Sequence, residues 1–248
     1  MLRIILSGCL GKMGKVITNI VENREDCEIV CGVDIGEGTA SYPIFDSVSK
    51  INVDADCIID FSHPSALKGV LDYAKSKGVA AVIATTGLSS EQIEEVKAAS
   101  KVVPVFFSFN MSLGVNLLLE LSKKAAQVLN GFDIEIIEKH HNQKIDAPSG
   151  TAVMLAEGIN EAKNNAMLYE YDRHSKRQKR TENEIGIHAV RGGTIVGEHD
   201  VLFCGRDEII TLSHSARSKD IFAVGAVNAA LFIADKPQGL YNMGDLVK

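Results

Sequence analysis

The sequence predicts an α/β fold in two parts, a parallel sheet flanked by helices and then a smaller α+β domain with an open mixed sheet. Three observations carry this. Short apolar runs alternate with helical patterns over the first 110 residues, and that rhythm builds a parallel sheet with helices on its faces. The runs are nearly continuous in apolar residues, as strands buried on both sides require. After Asn110 the rhythm gives way to period-2 strands joined by tight turns, which predicts an open sheet paired mostly antiparallel.

The first strand is Leu2–Leu6, and Lys12–Glu22 follows with helical spacing. Further strands are predicted at Glu28–Val33, Cys57–Phe61, Ala80–Ala84 and Val102–Phe107, with helices from Pro64 to about Lys77 and over Ser89–Ser100. Beyond the change of rhythm, Ser112 is placed to cap a long helix and Gly131 to end it. Asp133–His140 alternates as a strand, Ser149 to about Lys163 reads as a helix, and the run RHSKRQKRTENE reads as a solvated loop. Strands follow around Ile185–Arg191, Thr194–Phe203 and Asp207–His214, with a Gly192-Gly193 turn between the first two. A last helix runs from Lys219 to about Ala234. The boundary falls near residue 110, giving domains 1–110 and 111–217. The sequence leaves open whether the tail 218–248 packs back on the first.

The 248 residues are ample for a sizeable core, and 46% hydrophobic with 23% charged is ordinary for a globular chain. A net charge of −6 argues against nucleic-acid binding. Cys9, Cys27, Cys31, Cys57 and Cys204 show no CxxC spacing, so neither a zinc site nor a disulfide framework is expected, and free thiols fit a reducing cytoplasm. The opening MLRIIL is too short for a signal-peptide core, and no run approaches the roughly eighteen apolar residues of a membrane helix. A soluble, cytoplasmic protein without nucleic-acid or membrane partners is expected.

GCLGKMG places Gly8, Gly11 and Gly14 directly after the first strand and at the start of the first helix. Such a turn lets backbone amides approach a pyrophosphate at a helix N-terminus. The pattern is GxxGxxG, with Leu10 where the strict fingerprint has glycine. Its context supports a Rossmann-type reading, because Asp34 ends the second strand where a carboxylate accepts hydrogen bonds from an adenosine ribose. Ile35 stands where an NADP enzyme often carries arginine, which leans toward NADH, while Lys12 keeps a cation near the turn and leaves NADPH open. ATTG (Ala84–Gly87) and SFNMS (Ser108–Ser112) follow the fourth and fifth strands, at the carboxyl ends where ligands bind.

The second concentration of chemistry is EKHHNQKIDAPSGT, Glu138–Thr151. His140 and His141 end a strand, so they point to opposite faces and do not make a zinc pair. Lys144 lies close by as a cation or proton donor. Ser149 can cap a helix whose Gly150 and Thr151 amides can seat a carboxylate. An acid, cations and an anion seat suit a small dianionic substrate. Arg191 and Arg217 are further candidates for it, or else partners in surface ion pairs. These residues alone fit a reductase, a dehydrogenase of another small amino or keto acid, or a nucleotide-binding regulator that lacks catalysis.

EIIEKHHNQKIDAPSGTA (Glu135–Ala152) resembles the signature of the 4-hydroxy-tetrahydrodipicolinate (dihydrodipicolinate) reductase family. GCLGKMG, IDFSHP, ATTG, NMSLGVN, RGGTIVGEH and HSARS resemble family segments in the same order, so the likeness covers nearly the whole chain. It implies hydride transfer from NADH or NADPH to a cyclic imine dicarboxylate in the diaminopimelate route to lysine, across an interdomain cleft that closes over the ligands. It also implies a homotetramer built through the second domain's sheet. Carried over, His140 matches the proton donor/acceptor, Lys144 the proton donor, His141 a substrate contact and Gly150–Thr151 the carboxylate seat. Gly8, Cys9, Leu10, Gly11, Lys12 and Met13, then Asp34, then Ala84, Thr85 and Thr86, then Ser108, Phe109, Asn110 and Met111 match cofactor-binding segments. The first domain is then dinucleotide-binding, and the second serves substrate binding and oligomerisation. No metal is implied.

Overall fold

The computed structural model describes residues 1–247. The chain divides into two compact units, Met1–Leu113 with the segment from Asp220 onward, and Gly114–Lys219.

In the first unit β1 (Leu2–Ser7), α1 (Lys12–Glu22), β2 (Cys27–Val33), β3 (Ile44–Phe45), β4 (Cys57–Asp60), α2 (Leu67–Lys77), β5 (Ala80–Ile83), α3 (Ser90–Ala99) and β6 (Pro104–Phe107) follow in order. α3 carries a full capping box, Ser89 accepting from Gln92 N–H while the Gln92 side chain accepts from Ser89 N–H. α2 stops at Gly78, which is left-handed at φ 67°. Alternate residues of the buried strands feed two cores. Ile4, Leu6, Ile59 and Val82 face one way, and Ile5, Ile58, Ala81 and Ile83 face Leu67, Val70, Leu71 and Val96 on the other. This is the period of two in a sheet covered on both faces.

The second unit holds nearly all of α4 (Leu113–Val128), then β7 (Asp133–His140), α5 (Gly150–Ala162), β8 (Leu168–Glu170), β9 (Glu184–Arg191), β10 (Gly197–Cys204) and β11 (Ile209–Ala216). α4 ends at Val128, and Gly131 (φ 79°) serves the turn into β7 instead of the helix end itself. Ile134 and Ile136 of β7 pack with Leu155, Ala156 and Ile159 of α5 and with Ile185, Val201 and Phe203 of the neighbouring strands.

The chain then returns to the first unit through α6 (Asp220–Ile233), β12 (Gly239–Tyr241) and α7 (Met243–Leu246). α6 buries Ala223, Ala226, Val227, Ala230 and Ile233 in the core that holds Ile4, Leu6 and Phe106. β12 adds to the sheet edge, which runs β12-β6-β5-β4-β1-β2-β3, all parallel.

Two expectations are corrected in the second unit. Its five strands run β11-β10-β7-β9-β8. β10 is antiparallel to β7 and β11, but β9 is parallel to β7 and β8, so half of the pairings are parallel. The Gly192-Gly193 turn therefore joins no hairpin. β9 and β10 flank β7, and the connection crosses over its end, with Gly192 N–H donating to His140 O (2.9 Å) and Asn142 N–H to Gly193 O (3.2 Å). A tight turn fixes local direction, but which strand fills the middle is decided by long-range packing.

The basic run at 173–184 is also not simply solvated. Arg180 keeps only 15% side-chain exposure. It donates to Asp133 Oδ1 (2.8 Å), Glu135 Oε1 (3.0 Å) and the carbonyls of Ile134, Thr181 and Glu184. Arg173 pairs with Glu184 and Lys176 with Glu170, both carboxylates being buried. A guanidinium with five N–H groups can pin a loop in this way where a point charge cannot.

Candidate active site

The first group of residues lies at the carboxyl ends of the parallel strands. Gly8 takes φ 80°, and a Cβ there would stand 2.6 Å from Phe61 O. At Gly14 a Cβ would stand 2.3 Å from Gly8 O, so α1 meets the turn more closely than any side chain permits. Gly11 is the N-cap of α1, and no side chain caps that helix end. Its first-turn amides suit a pyrophosphate. Asp34 sits just past β2, its Oδ2 accepting Leu10 N–H and its Oδ1 accepting Gly36 N–H, each at 2.9 Å. It thereby ties the glycine turn to the β2 end, and a carboxylate with about four acceptor sites keeps capacity for ribose hydroxyls. The residues present fit a dinucleotide.

Within this group the side chains divide. Lys12 is exposed at the turn and Met13 partly buried. Cys9 is buried in the core, where burial pushes its thiol up to about 11, so it can serve a ligand only through its backbone. Met111 is likewise a core side chain. Ala84 is buried and Thr86 exposed. Thr85 is buried and donates to Asp60 Oδ2 (2.7 Å). Ser108 Oγ donates to Asn110 O (3.1 Å), Asn110 Oδ1 accepts Ser112 N–H (2.9 Å), and Phe109 stands 78% exposed with its ring against Phe107. Ile35, the position bearing on NADH against NADPH, is 95% exposed.

The second group lies at the end of β7. Burial along that strand alternates, so Ile134, Ile136, Glu138 and His140 share the inner face. The face is apolar where it meets the body of α5 and turns polar where it meets the start of that helix. There Glu138, with no exposed surface, has four nitrogen atoms within hydrogen-bond distance. Its Oε2 meets His140 Nδ1 at 2.6 Å and Arg191 Nη1 at 2.7 Å. Its Oε1 accepts Ser149 N–H at 3.0 Å and Arg191 Nη2 at 2.6 Å. Burial works to raise the Glu138 carboxyl, but the Arg191 guanidinium, His140 and Ser149 N–H more than offset this and hold it below the usual range. Arg191 also donates to Asp146 O (2.6 Å). Its Nη1 and Nη2 are committed to these partners, while Nε is buried without one among the described residues.

His199 of β10 lies opposite Glu138, stacks edge-on against His140 at 5.2 Å and meets Ser149 Oγ at 3.0 Å. Burial, then the neighbouring His140, lower it to about 4. Ser149 caps α5 by accepting Ala152 N–H, which places Gly150 and Thr151 in the first turn of the helix. His141 is partly exposed, and its carbonyl accepts Lys144 N–H (3.1 Å), closing a turn. Lys144 Nζ pairs with Asp146 Oδ1 at 2.7 Å, and this hydrogen bond lowers the Asp146 carboxyl. Arg217 is exposed after β11.

Residues 2–111 match the family described as dihydrodipicolinate reductase, N-terminus, and residues 114–247 match its C-terminus. The chain belongs to the dihydrodipicolinate reductase family. A relative from Caldanaerobacter subterraneus subsp. tengcongensis, named 4-hydroxy-tetrahydrodipicolinate reductase, is 50% identical over 100% of this chain and 99% of its own length. One of the same name from Clostridium novyi is 48% identical, again over 100% of this chain and 99% of its own. A solved dipicolinate-bound dihydrodipicolinate reductase from Paenisporosarcina sp. TG-14 aligns at TM-score 0.84 and 26% identity, covering 98% of this chain and 97% of that one.

Two residues of this family member were not singled out from sequence. Glu138 lies two positions before His140 in a strand, and period two alone puts both on one face. Asp60 is wholly buried at the end of β4, where Ser62 Oγ (2.5 Å) and Thr85 Oγ1 (2.7 Å) both donate to it. It couples the loops after β4 and β5, and no local pattern announces that. Among the described residues no group of three or more His, Cys, Asp and Glu is arranged to hold a metal ion, and no helix is long and apolar enough to cross a membrane.

Proposed function

We propose that this chain reduces 4-hydroxy-tetrahydrodipicolinate to tetrahydrodipicolinate with NADH or NADPH, in the diaminopimelate route to lysine. Family membership over both halves of the chain supports the activity. The observation that carries the site is the cluster at the end of β7, where His140 and the capped start of α5 meet Glu138, and where Lys144 pairs with Asp146, whose carbonyl Arg191 ties to the same carboxylate.

The net change replaces a hydroxyl by hydrogen, so it takes one hydride and one proton and releases one water. The bound cofactor supplies the hydride. His140 and Lys144 are the groups we assign to proton transfer, because charge built up by hydride addition needs a proton source within hydrogen-bond reach. We assign His141 and the Gly150–Thr151 amides to the substrate carboxylates, where a helix N-terminus and cations favour an anion. The dipicolinate bound by the Paenisporosarcina relative is a small dicarboxylate of this kind.

Gly8 to Met13, Asp34, Ala84 to Thr86 and Ser108 to Met111 are the segments we assign to the cofactor. The first unit is then the dinucleotide-binding domain, and the second binds substrate and builds a homotetramer through its sheet. We place the enzyme in the cytoplasm, where its five free cysteines remain reduced.

The test is a coupled assay in which a synthase makes the unstable substrate in place while NADH or NADPH oxidation is followed. Substrate-dependent oxidation is expected. No turnover with either cofactor would overturn the proposal.

A further inference from the structure

We propose that Glu138 is a positioning residue for the reduction, holding His140 as the Nδ1–H tautomer so that Nε2 is the ring atom presented to substrate. This rests on the activity proposed above and extends it to a residue outside the proton-transferring pair.

Donors and acceptors around Glu138 decide the tautomer. An ionised carboxylate only accepts hydrogen bonds. Three of the four groups around Glu138 are unambiguous donors, two from the Arg191 guanidinium and one from Ser149 N–H. The guanidinium stays charged and matches both carboxylate oxygens, so the buried pair is neutral as a unit and Glu138 is an anion. The fourth neighbour, His140 Nδ1 at 2.6 Å, must then bring a hydrogen of its own. Nε2 becomes the only ring nitrogen that can take up or release a proton, the division of labour that a carboxylate imposes on a histidine wherever one orients the other.

The surroundings of Nε2 agree. A Cβ on Gly197 would lie 3.0 Å from His140 Nε2 and 3.4 Å from its Cδ2, so glycine keeps a side chain off that atom. The His199 ring, edge-on at 5.2 Å, fixes the plane of the imidazole from the next strand. The charged and titratable groups facing this clamp are Arg191, the Lys144–Asp146 pair, His199 and, one strand further, His214. Glu138 also takes Ser149 N–H, so one carboxylate sets both the ring that exchanges the proton and the N-cap of the helix proposed to seat the substrate.

The test is long-range 1H–15N correlation on the full chain labelled with 15N-histidine, with the His140 ring signals identified by their loss in His140→Asn. The Nδ1–H pattern is expected at neutral pH, and an Nε2–H pattern would overturn the proposal. This readout does not depend on the reaction. If the parent chain fails the coupled assay, the activity proposal falls while the tautomer result stands by itself. Glu138→Gln is expected to shift the His140 tautomer and lower kcat by about 100-fold or more, leaving the KM for the nicotinamide cofactor within about threefold. Glu138→Asp, which keeps the charge, should restore the Nδ1–H pattern and part of kcat. A folded Glu138→Gln with parental kcat would overturn the proposal. If Glu138→Gln does not fold, Gly197→Ala leaves the clamp whole and presses on Nε2. It should lower kcat by about tenfold or more with the tautomer unchanged, and parental kcat there would equally overturn it.

Discussion

His199 offers a test of this cluster in the currency of stability. The residue is 4% exposed, and its ring meets Ser149 Oγ through Nε2 and has no protein hydrogen-bond partner at Nδ1 among the described residues. Protonation would bury a second N–H without an acceptor, beside His140. The ring is accordingly lowered to about 4, from 6.5 for an ordinary histidine. With the folded value below the unfolded one, the unfolded chain binds the extra proton between these limits. Stability is full above about pH 6.5 and falls as the pH drops toward 4. At pH 5 the loss from this one group is about 2 kcal/mol, taking 1.36 kcal/mol per unit over the 1.5 units below 6.5. His199→Gln removes the titration but keeps a polar group for Ser149. Urea unfolding, followed by far-UV circular dichroism at pH 8 and pH 5, gives the parent-minus-variant difference, in which groups common to both cancel. That difference should move against the parent by about 2 kcal/mol on acidification. A difference equal at the two pH values refutes a buried neutral His199.

Three further outcomes follow from named contacts. Gly14→Ala puts a Cβ 2.3 Å from Gly8 O, so the turn must open; the KM for cofactor should rise at least about tenfold with the circular dichroism spectrum unchanged, and parental KM would refute the close approach. Lys144→Ala should lower turnover by about 100-fold or more while the cofactor dissociation constant, measured by titration calorimetry, stays parental; equal turnover removes Lys144 from the chemistry. Arg180→Ala deletes hydrogen bonds to Asp133, Glu135 and the carbonyls of Ile134 and Glu184. It should cost about 2–3 kcal/mol in urea unfolding, whereas a solvated arginine would cost within about 0.5.

What the sequence determined by itself was local. The glycines at 8 and 14 announce a turn because only glycine allows the positive φ of the first and the close backbone contact of both. The apolar runs announce buried parallel strands because burial on two faces leaves no room for polar alternation. HH, K and PSGT are legible together because fourteen consecutive residues hold them. What the tertiary structure decided was partnership across sequence distance. Arg191 stands 53 residues from Glu138 and reaches it only because β9 docks parallel beside β7. His199 meets His140 only because β10 takes the other side of that strand. The choice of neighbour and register rests on the burial of a whole face, a sum over strands and helix α5 that no window of sequence contains. The same distinction explains Arg180. A basic run signals solvation in every local scale, and only the folded neighbours, Asp133, Glu135 and two strand carbonyls, supply acceptors enough to bury its guanidinium.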